Sequence, residues 1–267
     1  MTGIFKLSAA MVVMSGCVSA VAIESPAQAE TLTIGAAHSL KPAFQEIVPM
    51  FEKEYGAKVS VVYGPSHTLR RQIEKGAEID VFLPEAVEEV ERLHKKGLTL
   101  NGGPRIYAQT SLVLVMSSAS KATSISFHEV LPNGATRIAV ADPRVSTLGD
   151  ITARAFTKLD PAYKTRSQVL HGQHSDEIVN LVQTGKADVG IVYRADAINS
   201  GEVRIIDEAP TGISTPVQLG EALVWTCRKA SLGVAEEFLD FMMSPRIQKL
   251  LLKYGFDSAP STNGVLG

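Results

Sequence analysis

The sequence predicts an α/β protein built on mostly parallel sheets, and three observations carry that reading. Short runs rich in Val, Ile and Leu alternate with amphipathic patterns from end to end. Several amphipathic stretches stop at a glycine: Gly56, Gly97 and Gly185. Three apolar runs end at a serine that opens the next helical pattern, at Ser39, Ser66 and Ser175.

Taken in order, the chain opens on an export signal. Lys6 gives a positive start, Leu7 to Ala22 is apolar and small, and Ala27-Gln28-Ala29 supplies an A-x-A cleavage site. Residues 1–29 therefore read as a signal peptide, with the mature chain starting at Glu30. Ser8, Ser15, Gly16 and Ser19 break the run, which is short for a membrane span. Met14-Ser15-Gly16-Cys17 resembles a degenerate lipobox that would leave Cys17 lipidated; the A-x-A site is the better match.

Strands are expected at 31–37, 58–63, 79–83, 111–117, 136–141, 187–193, 203–206 and 217–227. Between them, 41–55 carries Phe44, Ile47, Val48 and Phe51 at i, i+3, i+4, i+7. Residues 85–96 place Val87, Val90 and Leu93 on one face, and 176–184 do the same with Ile178, Val179, Leu181 and Val182. Ser146 to Gly149 lead into a helix through Ala153 and Phe156, and the chain closes with helices over 233–243 and 246–253. Asp142-Pro143 reads as a turn.

Charge and cysteine content narrow the function. The 267 residues hold 26 Lys+Arg and 28 Asp+Glu, a net charge of −2, with no basic tail or stripe. Nucleic acid and anionic membrane are poor partners for such a chain. Export implies an oxidising compartment, yet the mature chain keeps only Cys227, so the core and not a disulfide must hold it together. Its length suits two domains.

Open α/β sheets bind ligands beyond the carboxyl ends of their strands, where helix N-termini offer unpaired N–H groups to anions. Ser39, Ser66 and Ser175 all sit at such places. Each alone also reads as an ordinary helix cap. Tyr193, ending the run from Asp188, could place its hydroxyl in the cleft or pack at an edge between domains. His38, His67 and His174 flank the three serines, as loop histidines, as donors to an oxyanion, or as ligands of a divalent metal completed by Asp176 or Glu177. Ser39 or Ser66 with a histidine and Asp176 also holds the parts of a hydrolytic triad, but no G-x-S-x-G elbow is present.

From about Thr31 to Phe256 the chain resembles the molybdate-binding proteins of ABC importers, within the type II periplasmic binding proteins. The matching motifs are Ala36-Ala37-His38-Ser39-Leu40, the run from Ser66 to Ala77, Ile79-Asp80-Val81-Phe82-Leu83, Ala139-Val140-Ala141-Asp142-Pro143, Gly190 to Ala197, and Lys253-Tyr254-Gly255-Phe256. The resemblance implies two lobes, each a mostly parallel sheet flanked by helices, with the ligand cleft between them. Residues 30–112 and 222–267 would form lobe I, and 113–221 lobe II. It implies a periplasmic monomer that binds molybdate or tungstate, needs no cofactor, catalyses nothing and delivers to a membrane permease. Ser39, Ser66 and Tyr193 would donate hydroxyls, and Leu148 and Ser175 backbone N–H groups. His38, Pro65 with His67, and Thr147-Leu148-Gly149 depart from the family's small-residue patterns at the pocket. Another oxyanion, or a metal complex held by the histidines, is the alternative ligand.

Overall fold

The computed structural model describes residues 31–259, apart from 101, 124, 132–133 and 163–167. The expected signal peptide, 1–29, and Cys17 lie outside the described residues.

The first unit begins with β1 (Thr31–Ala36), a short 3-10 turn (His38–Leu40), α1 (Lys41–Tyr55), β2 (Lys58–Tyr63), α2 (Ser66–Glu74), β3 (Val81–Leu83), α3 (Val87–Lys95) and β4 (Arg105–Thr110). The chain then passes through Ser111 into β5 (Leu112–Ser117), α4 (Phe127–Val130), β6 (Ile138–Ala141), α5 (Thr147–Leu159), β7 (Val169–Gly172), α6 (Ser175–Gln183), β8 (Val189–Tyr193), α7 (Arg194–Ser200) and β9 (Val203–Glu208). It returns through β10 (Val217–Leu223), α8 (Leu232–Met243), α9 (Pro245–Lys253) and β11 (Asp257–Ser258).

Two sheets result. One has six strands in the order β11-β4-β10-β3-β1-β2, the other five in the order β7-β6-β8-β5-β9. Pairing is parallel at β1·β2, β1·β3, β6·β7 and β6·β8 and antiparallel elsewhere, so both sheets are mixed where mostly parallel ones were expected. The reason is the crossing: β5 and β9 enter and leave the second sheet beside each other, and β10 and β11 come back against β4. The return also comes earlier than the expected boundary at 221/222, because all of Val217–Leu223 belongs to the six-stranded sheet. Pro210, Gly212 and Pro216 mark that crossing.

Each sheet has its own core. Leu32, Ile34, Phe44, Phe51, Phe238 and Phe256 pack around the first, and Val113, Val115, Phe127, Phe156, Ile178 and Ile191 around the second. Edge-to-face contacts of Phe51 with Phe238 and Phe241, at ring separations of 5.1 and 5.3 Å, tie α1 to α8. The amphipathic pattern over 41–55 thus does what its spacing predicts: Phe44, Ile47 and Phe51 are buried, and Gly56 ends the helix in the left-handed conformation at φ 67°. Within the described residues no helix is long and apolar enough to cross a membrane.

Candidate ligand-binding cleft

The parallel strands deliver their carboxyl ends to one region, and the helices that follow start there. β1 leads to Ser39, β2 to Ser66, β6 through the Asp142 turn to α5, and β7 to Ser175. Asp142 is a turn residue as expected: its carboxylate accepts from the Arg144 N–H at 2.9 Å, and pairing with that guanidinium holds its pKa down at about 2.

The serines do not cap their helices. α1 starts at Lys41 with Leu40 in the capping position, α2 is preceded by Pro65 and α6 by His174, and none of the three has a side-chain cap bond. The cap reading of Ser39, Ser66 and Ser175 is therefore wrong: one serine precedes its helix within a 3-10 turn, and two lie inside the first turn. Ser66 Oγ instead accepts the Glu85 N–H across the sheet at 2.9 Å. Ser175 Oγ donates to Asp196 Oδ2 at 2.5 Å.

The backbone donors of the first turns are left over as well. In α5 the Asp150 N–H bonds to the Ser146 carbonyl at 3.1 Å, which leaves Thr147, Leu148 and Gly149 N–H groups ahead of it. In α6 the Glu177 N–H bonds to the His174 carbonyl at 3.1 Å, with Ser175 and Asp176 ahead. In α2 the Thr68 N–H bonds to the Pro65 carbonyl at 2.9 Å, with Ser66 and His67 ahead.

A cleft of about 540 Å³ opens between the sheets, with Ser39, Lys41, Tyr63 and Pro65 on one wall and His174, Ser175, Asp176 and Asp196 on the other. His38 lines it too, and its ring stands 6.4 Å from those of both Tyr63 and His174. Ser66 and Tyr193 are buried, each 1 % exposed, and do not line it. The Tyr193 hydroxyl is buried with no hydrogen-bond partner among the described residues. Leu148 is buried in the core of the five-stranded sheet and does not line this cleft. His67 turns to Thr68 Oγ1 at 3.2 Å, and its Nδ1 is buried without a partner among the described residues.

Electrostatics in the cleft are unusual for a chain of small net charge. Burial lowers the pKa of His38, as do His174 and Lys41, while Asp176 raises it. Burial also lowers that of His67. Two carboxyls go the other way. Burial pushes Asp196 up to about 6, with the Ser175 hydrogen bond opposing. Burial together with the charges of Asp196 and Glu89 pushes Glu85 up to about 8. Glu85 is the residue that sequence reasoning missed: it reads as an acid in the first turn of a helix over 85–96, but that helix begins at Val87. Its position just past a strand's carboxyl end was the available signal.

No group of three or more His, Cys, Asp or Glu side chains is arranged to hold a metal among the described residues. Nor does any serine there bond to a histidine; the serine partners are the Glu85 N–H and Asp196. The cleft offers serine hydroxyls, helix N-termini and the Lys41 ammonium, with Asp176 and Asp196 on the opposite wall.

Residues 32–257 match the family described as bacterial extracellular solute-binding protein. The chain belongs to that family. Among similar sequences, the molybdate-binding protein ModA of Escherichia coli is 28 % identical over 242 residues, covering 89 % of this chain and 93 % of its own length. ModA of Haemophilus influenzae is 27 % identical over 232 residues, covering 85 % and 90 %. Among solved structures, the periplasmic molybdate-binding protein of Azotobacter vinelandii superposes with a TM-score of 0.73 at 22 % identity, covering 86 % of this chain and 100 % of that one, a likeness of fold. The two-sheet α/β architecture is that of the type II periplasmic binding proteins.

Proposed function

We propose that this protein is the exported binding component of an ABC importer and captures tetrahedral oxyanions of the molybdate and tungstate type between its two sheet units. One observation supports this above the others. Ser39 and Ser175, just before and within the first turns of helices from the two sheets, line one cleft, and neither caps its own helix. In this reading Ser39, Ser66 and Tyr193 donate hydroxyls, and the first-turn N–H groups at Ser175 and Leu148 donate from the backbone. Each bond to the anion contributes on the order of 1.5–3 kcal/mol. Leu148 lies off the open cleft, so its contribution requires the units to close further on the ligand. In this reading β1 to β4 with β10, β11 and the C-terminal helices make one lobe, and β5 to β9 with their helices the other. The protein works as a periplasmic monomer, carries no resident cofactor, and passes its ligand to a membrane permease.

The test is a thermal-shift series with molybdate, tungstate, sulfate, phosphate and divalent metals at equal concentration. A ligand that binds only the folded state raises stability by RT ln(1 + [L]/Kd). Molybdate and tungstate should raise the melting temperature far more than sulfate. Equal shifts from all oxyanions, or a shift from metals alone, would remove the assignment.

A further inference from the structure

Two histidines face each other across the cleft. His38 sits in the 3-10 turn after β1, on the six-stranded side, and His174 immediately precedes α6, on the five-stranded side. Their backbones are fixed. The His38 carbonyl accepts the Lys41 N–H, and the His174 carbonyl accepts the Glu177 and Ile178 N–H groups at 3.1 and 3.2 Å. Both side chains line the cleft, with ring centroids 6.4 Å apart and ring planes inclined at 56°. Both residues are exposed, and no hydrogen bond or ion pair of either ring occurs among the described residues. Around His38 stand Tyr63 on β2, Lys41 at the head of α1 and Asp176 on α6, all on the cleft. His174 is followed on its own helix by Asp176 and Glu177, the latter taken by the Gln173 N–H at 2.8 Å, and it acts by charge on His67 of α2. Asp196, bonded to Ser175 Oγ, and Glu202 are the other acids of the cleft.

One anion oxygen accepting from a nitrogen of each ring needs two charge-assisted bonds, a span of about 5.6 Å between the nitrogens. Rings 6.4 Å apart can supply that span with both backbone turns left as they are. Two protonated rings repel across an empty cleft, whereas a dianion between them stabilises both charges. We infer that His38 and His174 are specificity-determining residues that clamp a dianion from opposite walls, each donating from a protonated ring, so that capture takes up protons from solvent wherever the rings start neutral. The inference rests on the oxyanion reading above. No bond is made beyond the N–H that a ring gains. Burial holds His38 below the usual histidine range, with Asp176 opposing and His174 and Lys41 assisting, so this ring is mostly neutral at pH 7 and has a proton to gain.

The test uses the mature chain with molybdate as probe, between about pH 6 and 8.5, with a melting curve at each pH to establish folding. A ring that is protonated only in the complex makes affinity fall as pH rises, by up to about tenfold per unit for each ring. Wild type should therefore weaken about tenfold or more between about pH 6 and 8. Calorimetry in two buffers of different ionisation heat should show net proton uptake over the same range. Proton NMR of the imidazoles should show saturating molybdate keeping both rings protonated to higher pH than in the free protein. His38→Gln and His174→Gln, at exposed positions, should leave the melting curve nearly in place, each should reduce the slope, and the double variant should flatten it. Burial pushes Asp196 up to about 6, so its own titration is separated by Asp196→Asn, in which the slope above pH 7 should persist. A flat wild-type profile with molybdate bound, a slope that survives in the double variant, or rings whose titration molybdate does not move would overturn the inference and leave the oxyanion reading standing. A folded wild type that binds neither molybdate, tungstate, sulfate nor phosphate at pH 7 would overturn both.

Discussion

The two halves of the cleft are held in place by opposite means. Behind Ser66, the six-stranded side uses buried charge. Arg70 bonds Glu89 at 2.5 Å and also Glu74, Lys96 reaches Glu74 at 2.9 Å, and α2 is thereby fastened to α3. Asp80, wholly buried, accepts from the Thr33 N–H at 2.7 Å and from the Arg228 guanidinium at 2.7 Å. Behind Ser175 and Leu148, the five-stranded side uses close approach. A Cβ on Gly190 would lie 2.8 Å from Ile178 and 2.9 Å from Val182, and one on Gly149 would lie 2.5 Å from the carbonyl carbon of Asp142. One half of the site should therefore fail when charge is changed, and the other when volume is changed.

The largest effect should come from the charged half. Arg70→Ala leaves Glu89, whose side chain is 5 % exposed, with only the longer Arg92 pair at 3.6 Å. Breaking a buried pair from one side costs about 3–5 kcal/mol. Urea unfolding should read a loss of that size, and Arg70→Met with Glu89→Leu should recover most of it. A loss under about 1 kcal/mol, the range of exposed pairs, would show that charge does not hold this half together.

Next comes the close-packed half. Gly149→Ala drives a methyl into the backbone after β6, where nothing flexible can yield. Overpacking costs about 1–3 kcal/mol, and here it should also shift the first turn of α5. Both unfolding free energy and molybdate affinity should fall. If stability falls while affinity holds, the α5 terminus is not a donor and the site is smaller than proposed.

The smallest stability change and the sharpest contrast belong to Tyr193→Phe. Its hydroxyl is buried without a partner among the described residues, so removing it should leave the ligand-free protein as stable or slightly more so. Affinity should drop by about 1–3 kcal/mol, the worth of a hydrogen bond to a charged group. Ser66→Ala should lower affinity similarly but also release the Glu85 N–H, so it should lower stability too. A Tyr193→Phe protein that is destabilised and binds as before would make the hydroxyl structural.

How much of this could be read from the chain follows the same division. Segments whose period was complete came out with their bounds: α1 over Lys41–Tyr55 and β2 over Lys58–Tyr63 match the expected 41–55 and 58–63. β4 was missed because Arg105, Gln109 and Thr110 interrupt its apolar pattern, although Tyr107 and Ala108 are fully buried. α7 was missed because it begins at Arg194, directly after β8, with no turn residue between. Antiparallel returns leave no mark in a run of Val and Leu, which is why the mixed sheets were not foreseen. Ser39, Ser66, Ser175 and Tyr193 could be read as lying at strand ends because strand ends are visible locally. Their hydrogen bonds could not, since Glu85 meets Ser66, and Asp196 meets Ser175, only through the fold.

The chain enters and leaves the five-stranded sheet through a single doorway. β5 and β9 lie side by side, and the Ala209 N–H bonds to the Leu112 carbonyl at 2.9 Å. Everything from Leu112 to Glu208 therefore behaves as a cassette with adjoining ends, carrying Ser175, Tyr193 and Asp196 as a block. Ser39, Ser66 and Glu85 stay with the host. Exchanging that cassette between relatives would recombine two half-sites in one step, with Ala195 to be rematched to the first core and Ala86, Ile213 and Val217 to the second, so ligand preference in such a protein can be reassorted by inheritance of whole segments and not only altered residue by residue.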